Sequence, residues 1–463
     1  MNVPSLQSSS PHSVHDAPLQ SSGIYLEHQA ARESNARSYP RGLPLALASA
    51  SGIHVKDTDG RSYIDCLAGA GALALGHNHP RVKEALVRAL AQDLPMQTLD
   101  LTTPVKHRFI DDLIALLPPR FAERARIQFC GPTGADAIEA ALKLVKTATG
   151  RRSVLAFRGA YHGMTHGALA LTGSRGPKEP IAGLMPDVHF LPYPYAYRCP
   201  FGVGGAESGR VASTFVERLL DDPNSGIVAP AALVVEPVQG EGGVIPAPLP
   251  WLQEIRRITR ERGIPLIVDE VQSGLGRTGA MFAFEHADVV PDVLVLSKAI
   301  GGGLPMSVVI YDKELDRWAP GAHAGTFRGN QLAMAAGIAT IEVVREQRLD
   351  RHAGAMGERL REHLLAVQGR SRCIGEVRGR GLMVGAEIVD REREADGVGA
   401  HPPAPAKARL IQSEALRRGL IVELGGRSDC VVRFLPPLIV TAEQVDSIAT
   451  IFDEAVRAAE QAS

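Results

Sequence analysis

The sequence predicts an α/β protein, a mainly parallel sheet covered by helices with a smaller α+β domain attached. Three observations carry this expectation. Apolar runs of strand length recur within 153–157, 231–238, 263–270 and 291–297, the pattern of strands buried on both faces. Stretches of helical period, such as 251–262, lie between them, as crossover connections require. Ionisable residues stand at the ends of three runs, Glu236, Asp269 and Lys298, and ligands of such sheets sit beyond the carboxyl ends of the strands.

The chain is organised around residues 291–305, Pro-Asp-Val-Leu-Val-Leu-Ser-Lys-Ala-Ile-Gly-Gly-Gly-Leu-Pro. Lysine is almost never fully buried unless it is paired or chemically committed. Taken alone, Lys298 either snorkels out of a strand end or is a desolvated amine able to form a Schiff base with an aldehyde. Residues 263–272, Gly-Ile-Pro-Leu-Ile-Val-Asp-Glu-Val-Gln, form a second buried-strand pattern ending in Asp269, Glu270 and Gln272. Asp269 alone reads as a turn cap. Together, a Schiff-base lysine and a strand-end aspartate are what pyridoxal 5'-phosphate requires, one for the aldehyde and the other for the protonated ring nitrogen.

With 463 residues, 45% hydrophobic and 22% charged, the chain is long enough for two domains around a large core. Fifty basic and 51 acidic side chains leave a formal charge of -1, which argues against nucleic-acid or membrane partners. No apolar run approaches the roughly 18 residues of a membrane span. The five scattered cysteines, Cys66, Cys130, Cys199, Cys373 and Cys430, form no metal or disulfide pattern and fit a reducing cytoplasm.

In chain order, residues 1–22 read as a disordered tail. Residues 52–65 alternate apolar and polar residues around an Asp-Gly turn and predict a hairpin. A glycine-alanine loop at 67–76 follows, suited either to close ligand approach or to tight packing. His77 and His79 precede Pro80, which reads as a loop entering a helix over 81–91. The segment 130–137, Cys-Gly-Pro-Thr-Gly-Ala-Asp-Ala, opens another helix. There Thr133, Gly134 and Ala135 either cap that helix or offer backbone N–H groups to a phosphate. Tyr161 and His162 follow the strand at 153–157, either stacking on a heteroaromatic ring or filling the core. Residues 191–209, rich in proline and aromatics, predict a surface excursion and interface element. An amphipathic helix over 330–344 leaves the large domain. The expected division is 23–75 and 346–463 for the small domain and 76–345 for the large one. The glycines at 379–385 miss the dinucleotide spacing and precede a strand, which excludes a nicotinamide reading.

Assembled, these motifs resemble the class III (omega) aminotransferases, fold type I pyridoxal-phosphate enzymes, over about residues 25–460. Segments 130–137, 160–166, 192–200 and 321–330 look most like the branch acting on diaminobutyrate and 2-oxoglutarate. The resemblance implies that Lys298 forms the Schiff base, Asp269 pairs with the pyridine nitrogen, Gln272 lies near the ring hydroxyl, and Thr133 and Gly134 bind phosphate. Tyr161 would stack on the ring; from their places at the helix start and strand ends, Ala135, His162 and Glu236 are also expected against the cofactor. Thr326 would reach the phosphate of a neighbouring subunit, so a homodimer with shared sites, or a tetramer built from it, is implied. Arg433 would take a substrate carboxylate and Glu241 cover it. Met164 stands where many relatives place an arginine for a second carboxylate. The expected reaction moves an amino group between glutamate and aspartate 4-semialdehyde, giving 2,4-diaminobutyrate for siderophore or ectoine synthesis. Its rivals are a 4-aminobutyrate- or ornithine-type aminotransferase, an aminomutase, and a non-catalytic cofactor-binding module.

Overall fold

The computed structural model describes residues 20–462. Strands made wholly of apolar residues belong where both faces are covered. Val293–Leu296 and Leu266–Asp269 bury every residue and lie inside a seven-stranded sheet. Its order is Ala125–Phe129, Val308–Asp312, Val293–Leu296, Leu266–Asp269, Pro230–Val235, Ser153–Phe157, Val188–Leu191. Pairing is parallel from Val293–Leu296 through to Val188–Leu191. Val308–Asp312 runs antiparallel to both of its neighbours. The sheet is therefore mainly parallel, with one reversed strand that the apolar runs did not signal.

The two faces are read off alternate residues. Val154, Val234, Ile267 and Val295 pack with Ala137, Ala141 and Val145 of the helix Gly134–Thr149. Leu155, Leu233, Val268 and Leu294 turn the other way, toward Trp251 and Ile255 of Leu249–Glu261. Each such side chain contributes roughly 1.5–3 kcal/mol by leaving water, so a one-residue register slip would exchange the two cores.

The hairpin expected at 52–65 is formed by His54–Asp57 and Ser62–Asp65. Leu47–Ser51 extends it on one side, and Leu420–Ile421 joins parallel on the other. Residues from both ends of the chain thus share a sheet. A second four-stranded sheet is antiparallel throughout, in the order Ile374–Arg380, Met383–Ile388, Val431–Phe434, Glu423–Gly425.

Two expectations need correction. The sequence reads as a tail to residue 22; residues 1–19 lie outside the described ones. A helix, Ser22–Arg32, already begins at Ser22. Its first residue is buried, with its amide on Asp59 and its hydroxyl on Thr58, so the hairpin anchors it. The 191–209 segment is no simple surface excursion. Tyr193 is fully buried, packs edge-on against Phe157 and Trp251, and donates its hydroxyl to the Glu236 carbonyl at 3.0 Å. Proline breaks the period there, but the tyrosine rings bury area on the scale of a core residue. Among the described residues, no helix is long and apolar enough to cross a membrane.

Candidate active site

A cavity of about 470 Å³ opens beyond the carboxyl ends of the central parallel strands. It is lined by Thr133, Gly134, Ala135, Tyr161, His162, Met164, Glu236, Glu241, Asp269, Gln272 and Lys298. Ten of the twelve residues expected to bind cofactor or substrate therefore meet in one place; Arg433, hydrogen-bonded to Glu241, and Thr326 are not among its lining.

Lys298 begins a 3-10 turn directly after Val293–Leu296 and Ser297, and it holds a φ of 50°. A non-glycine residue there is uncommon and strained. Ser297 donates its hydroxyl to the Met306 carbonyl at 2.9 Å, which fixes the turn. The glycines after Lys298 let the turn dock. At Gly302, φ 60°, an added Cβ would lie 2.8 Å from both the Ala336 carbonyl oxygen and Thr340 Oγ1, so the helix Gln331–Glu346 leaves no room for a side chain. Enclosure by protein lowers the Lys298 pKa from its ordinary value, with Glu241 opposing and Arg433 assisting. A larger fraction of neutral amine is the condition for a nucleophile.

Asp269 ends the neighbouring strand and is 6% exposed. Its Oδ2 lies 2.7 Å from His162 Nδ1, and its Oδ1 accepts the Val271 N–H at 3.0 Å. The His162 ring is wholly buried, and its Nε2 has no hydrogen-bond partner. Burial opposes charging this imidazole. The hydrogen bond and charge of Asp269, with Glu236 beside it, outweigh burial and hold the pKa above its ordinary value. Glu236 accepts the amides of Tyr161 at 2.9 Å and Gly240 at 3.1 Å. Burial pushes its carboxyl up to about 7, with Asp269 adding and His162 opposing. The ring of Tyr161 forms a half-buried wall.

At the opposite side the helix Gly134–Thr149 opens on a capping box. Thr133 and Asp136 satisfy one another, Thr133 N–H donating at 2.9 Å and its hydroxyl at 2.7 Å to Asp136 Oδ2. The first-turn amides of Gly134 and Ala135 have no acceptor within the helix and line the cavity. Gln272 Nε2 donates to the Ala70 carbonyl at 3.1 Å, while its buried Oε1 has no partner. This set suits pyridoxal phosphate. It offers an amine for an aldehyde, an oriented carboxylate for a ring nitrogen, an orphan amide oxygen, an aromatic wall and unpaired helix amides for a phosphate.

Arg433, on Val431–Phe434, is wholly buried. Its Nη2 donates to Glu241 at 2.9 Å and also to Glu423, while Nε and Nη1 have no partners. Glu423 was missed by the motif reading. It faces Arg433 directly in the antiparallel register, and the Gly425-Gly426 turn between them was the available signal. The Tyr39 hydroxyl hydrogen-bonds Glu423 as well. Thr326 is exposed, next to Phe327, which is 74% exposed. Met164 is 50% exposed at the cavity rim.

The aminotransferase class-III family model matches residues 36–456, and the chain belongs to that family. It is 58% identical over 426 residues, 92% of this chain and 91% of the relative, to the diaminobutyrate–2-oxoglutarate aminotransferase of Rhizobium meliloti. Identity is 48% over 440 residues, 95% of this chain and 96% of the relative, to the protein of that name from Haemophilus influenzae. Among solved structures, an amine transaminase from an uncultivated Pseudomonas species, in its pyridoxal-phosphate-bound form, superposes with a TM-score of 0.81 at 28% identity, covering 92% of this chain and 98% of that one.

Proposed function

We propose that this class III aminotransferase uses pyridoxal 5'-phosphate to move an amino group between L-glutamate/2-oxoglutarate and L-aspartate 4-semialdehyde/L-2,4-diaminobutyrate. The observation that carries the substrate pair is the 58% identity, over 92% of the chain, to a relative named for that reaction. The cavity supports the chemistry, because an amine of lowered pKa and an oriented carboxylate stand at neighbouring strand ends.

When bound, the cofactor supplies an aldehyde that takes up amines and a protonated ring that withdraws electrons from the carbon bearing the amine. Lys298 would hold that aldehyde. Freed by a substrate amine, Lys298 Nζ would take the proton from the substrate's amine-bearing carbon as general base and hand it on as general acid. Asp269 would accept a hydrogen bond from the ring nitrogen, with His162 Nδ1 holding its carboxylate in position. Gly134 and Ala135 would donate their amides to the phosphate, beside Thr133; Tyr161 would cover one ring face, and Gln272 would stand by the ring hydroxyl.

Arg433 would bind the α-carboxylate of glutamate. While diaminobutyrate is bound, Glu241 covers Arg433, and it swings aside for glutamate. Thr326 would reach the phosphate of a second subunit in a homodimer with shared sites. The division into 23–75 with 346–463 and 76–345 as domains belongs to the same reading, as do a cytoplasmic location and a supply of diaminobutyrate to siderophore or ectoine synthesis.

The test is an absorption spectrum of the purified, cofactor-loaded protein before and after L-glutamate and L-2,4-diaminobutyrate are added to separate samples. Loss of the near-visible band with both is expected. Bleaching by glutamate alone would remove the diaminobutyrate assignment, and absence of a band after cofactor addition would remove the role of Lys298.

A further inference from the structure

The charges around Arg433 do not balance. One guanidinium nitrogen serves two carboxylates, Glu241 at 2.9 Å and Glu423. Arg433 is wholly buried, and the two glutamate side chains are 33% and 12% exposed. One cation against two anions leaves an excess negative charge in surroundings where an unanswered charge is costly. Tyr39, which hydrogen-bonds Glu423, answers none of it. Burial first, and then Glu423 and Glu241, hold its phenol above the ordinary value, so it remains neutral. Tyr161 faces the same two glutamates and is held neutral in the same way. Lys298 feels both carboxylates, but its amine is committed to the cofactor. Burial raises the Glu423 carboxyl, with Arg433 opposing and Glu241 adding, so the charged form of Glu423 is held at a cost that a further cation beside it would relieve.

Glu423 is also held in place. Its strand residue is paired face to face with Arg433, which sets neighbouring side chains about 5 Å apart. A carboxylate offers about four acceptor positions, and Arg433 and Tyr39 occupy two of them.

A diamino acid brings the missing cation. L-2,4-Diaminobutyrate reacts through its terminal amine and carries a second ammonium that takes no part in the chemistry; 4-aminobutyrate has the same reacting amine and chain length without it. We infer that Glu423 is a specificity residue that receives the non-reacting ammonium of the diamino acid while Glu241 neutralises Arg433. This rests on the substrate reading above and adds the residue that separates diamines from monoamines of equal length.

The test compares L-2,4-diaminobutyrate with 4-aminobutyrate on the holoenzyme, by single-turnover kcat/KM in the parent and in Glu423→Gln. A charge-assisted hydrogen bond is worth ~1.5–3 kcal/mol, so the parent should prefer the diamine by about tenfold or more, and the preference should collapse toward one in the variant. Equal preference in parent and variant overturns the inference. Calorimetric Kd values for the two amines in Lys298→Ala, with and without Glu423→Gln, should show the same collapse without turnover. Should Glu423→Gln not fold, the parent still decides, because a parent that takes both amines equally overturns the inference, and Glu423→Asp should retain part of the preference. A parent that reacts with glutamate and not with diaminobutyrate removes the substrate reading and this inference together. A parent selective for the diamine whose variant keeps that selectivity removes the inference alone.

Discussion

Replacing His162 by alanine strips Asp269 of its one side-chain partner at 2.7 Å, in a place where the imidazole is wholly buried and the aspartate 6% exposed. A buried charge-assisted hydrogen bond is worth ~1.5–3 kcal/mol, and leaving its acceptor unmatched costs at least as much. Converted at about 1.4 kcal/mol per decade, the loss is roughly 10- to 150-fold in any equilibrium that needs Asp269 oriented. The expected outcome is a cofactor Kd raised within that range, read by titrating the apoprotein with pyridoxal phosphate, and a fall of similar size in the glutamate half-reaction. His162→Gln, which keeps a side-chain N–H, should recover part of both. The pH response carries its own sign. Because the folded pKa of His162 is raised, its contribution is complete below the ordinary histidine value and is lost as pH rises through the folded one, a loss that His162→Gln should not show. A His162→Ala protein with parental cofactor affinity and rate would refute the reasoning.

Other perturbations have equally definite outcomes. Glu241→Ala leaves Arg433 with Glu423 alone, and about a tenfold fall in diaminobutyrate kcat/KM is expected; half-reaction rates matching the parent with both substrates would exclude the switch. Gly302→Ala forces a Cβ to within 2.8 Å of the Ala336 carbonyl, so a loss of ~1–3 kcal/mol is expected in denaturant unfolding, and an unchanged midpoint would contradict it. Glu270 accepts the amides of Ala283 and Phe284, each at 2.8 Å, and burial raises its carboxyl to about 8. Its contribution is complete below the ordinary glutamate value and lost as pH rises through about 8, so Tm should decline over that window less steeply in Glu270→Gln, and equal slopes would refute the assignment.

The sequence discloses the parts of the site carried on local pattern. Lys298 and Asp269 stand at the ends of short apolar runs, which, with helical stretches alternating between them, read as central strands of one parallel sheet, so their convergence follows from topology. The turn at Thr133 is visible because capping is a local affair of residues three apart. What stays hidden depends on pairing across long separations. The bond from His162 to Asp269 spans 107 positions, and nothing around either residue encodes the other. Tyr193 reads as loop because proline breaks the period, and only its ring partners Phe157 and Trp251 explain its burial. Glu423 lies between these cases. Its register with Arg433 follows from a turn that the sequence shows, but the third member, Glu241, arrives from a distant loop.

Arg433 and Glu423 sit on adjacent strands joined by one short turn, whereas Lys298 and Asp269 belong to another sheet. On the proposed reading, reactivity and selectivity are thereby separable. The short stretch 423–433 could then be rewritten to change the molecules accepted while the bond-making apparatus stays untouched. The same stretch is the natural unit to transplant when an enzyme of this architecture is asked to take a new amine.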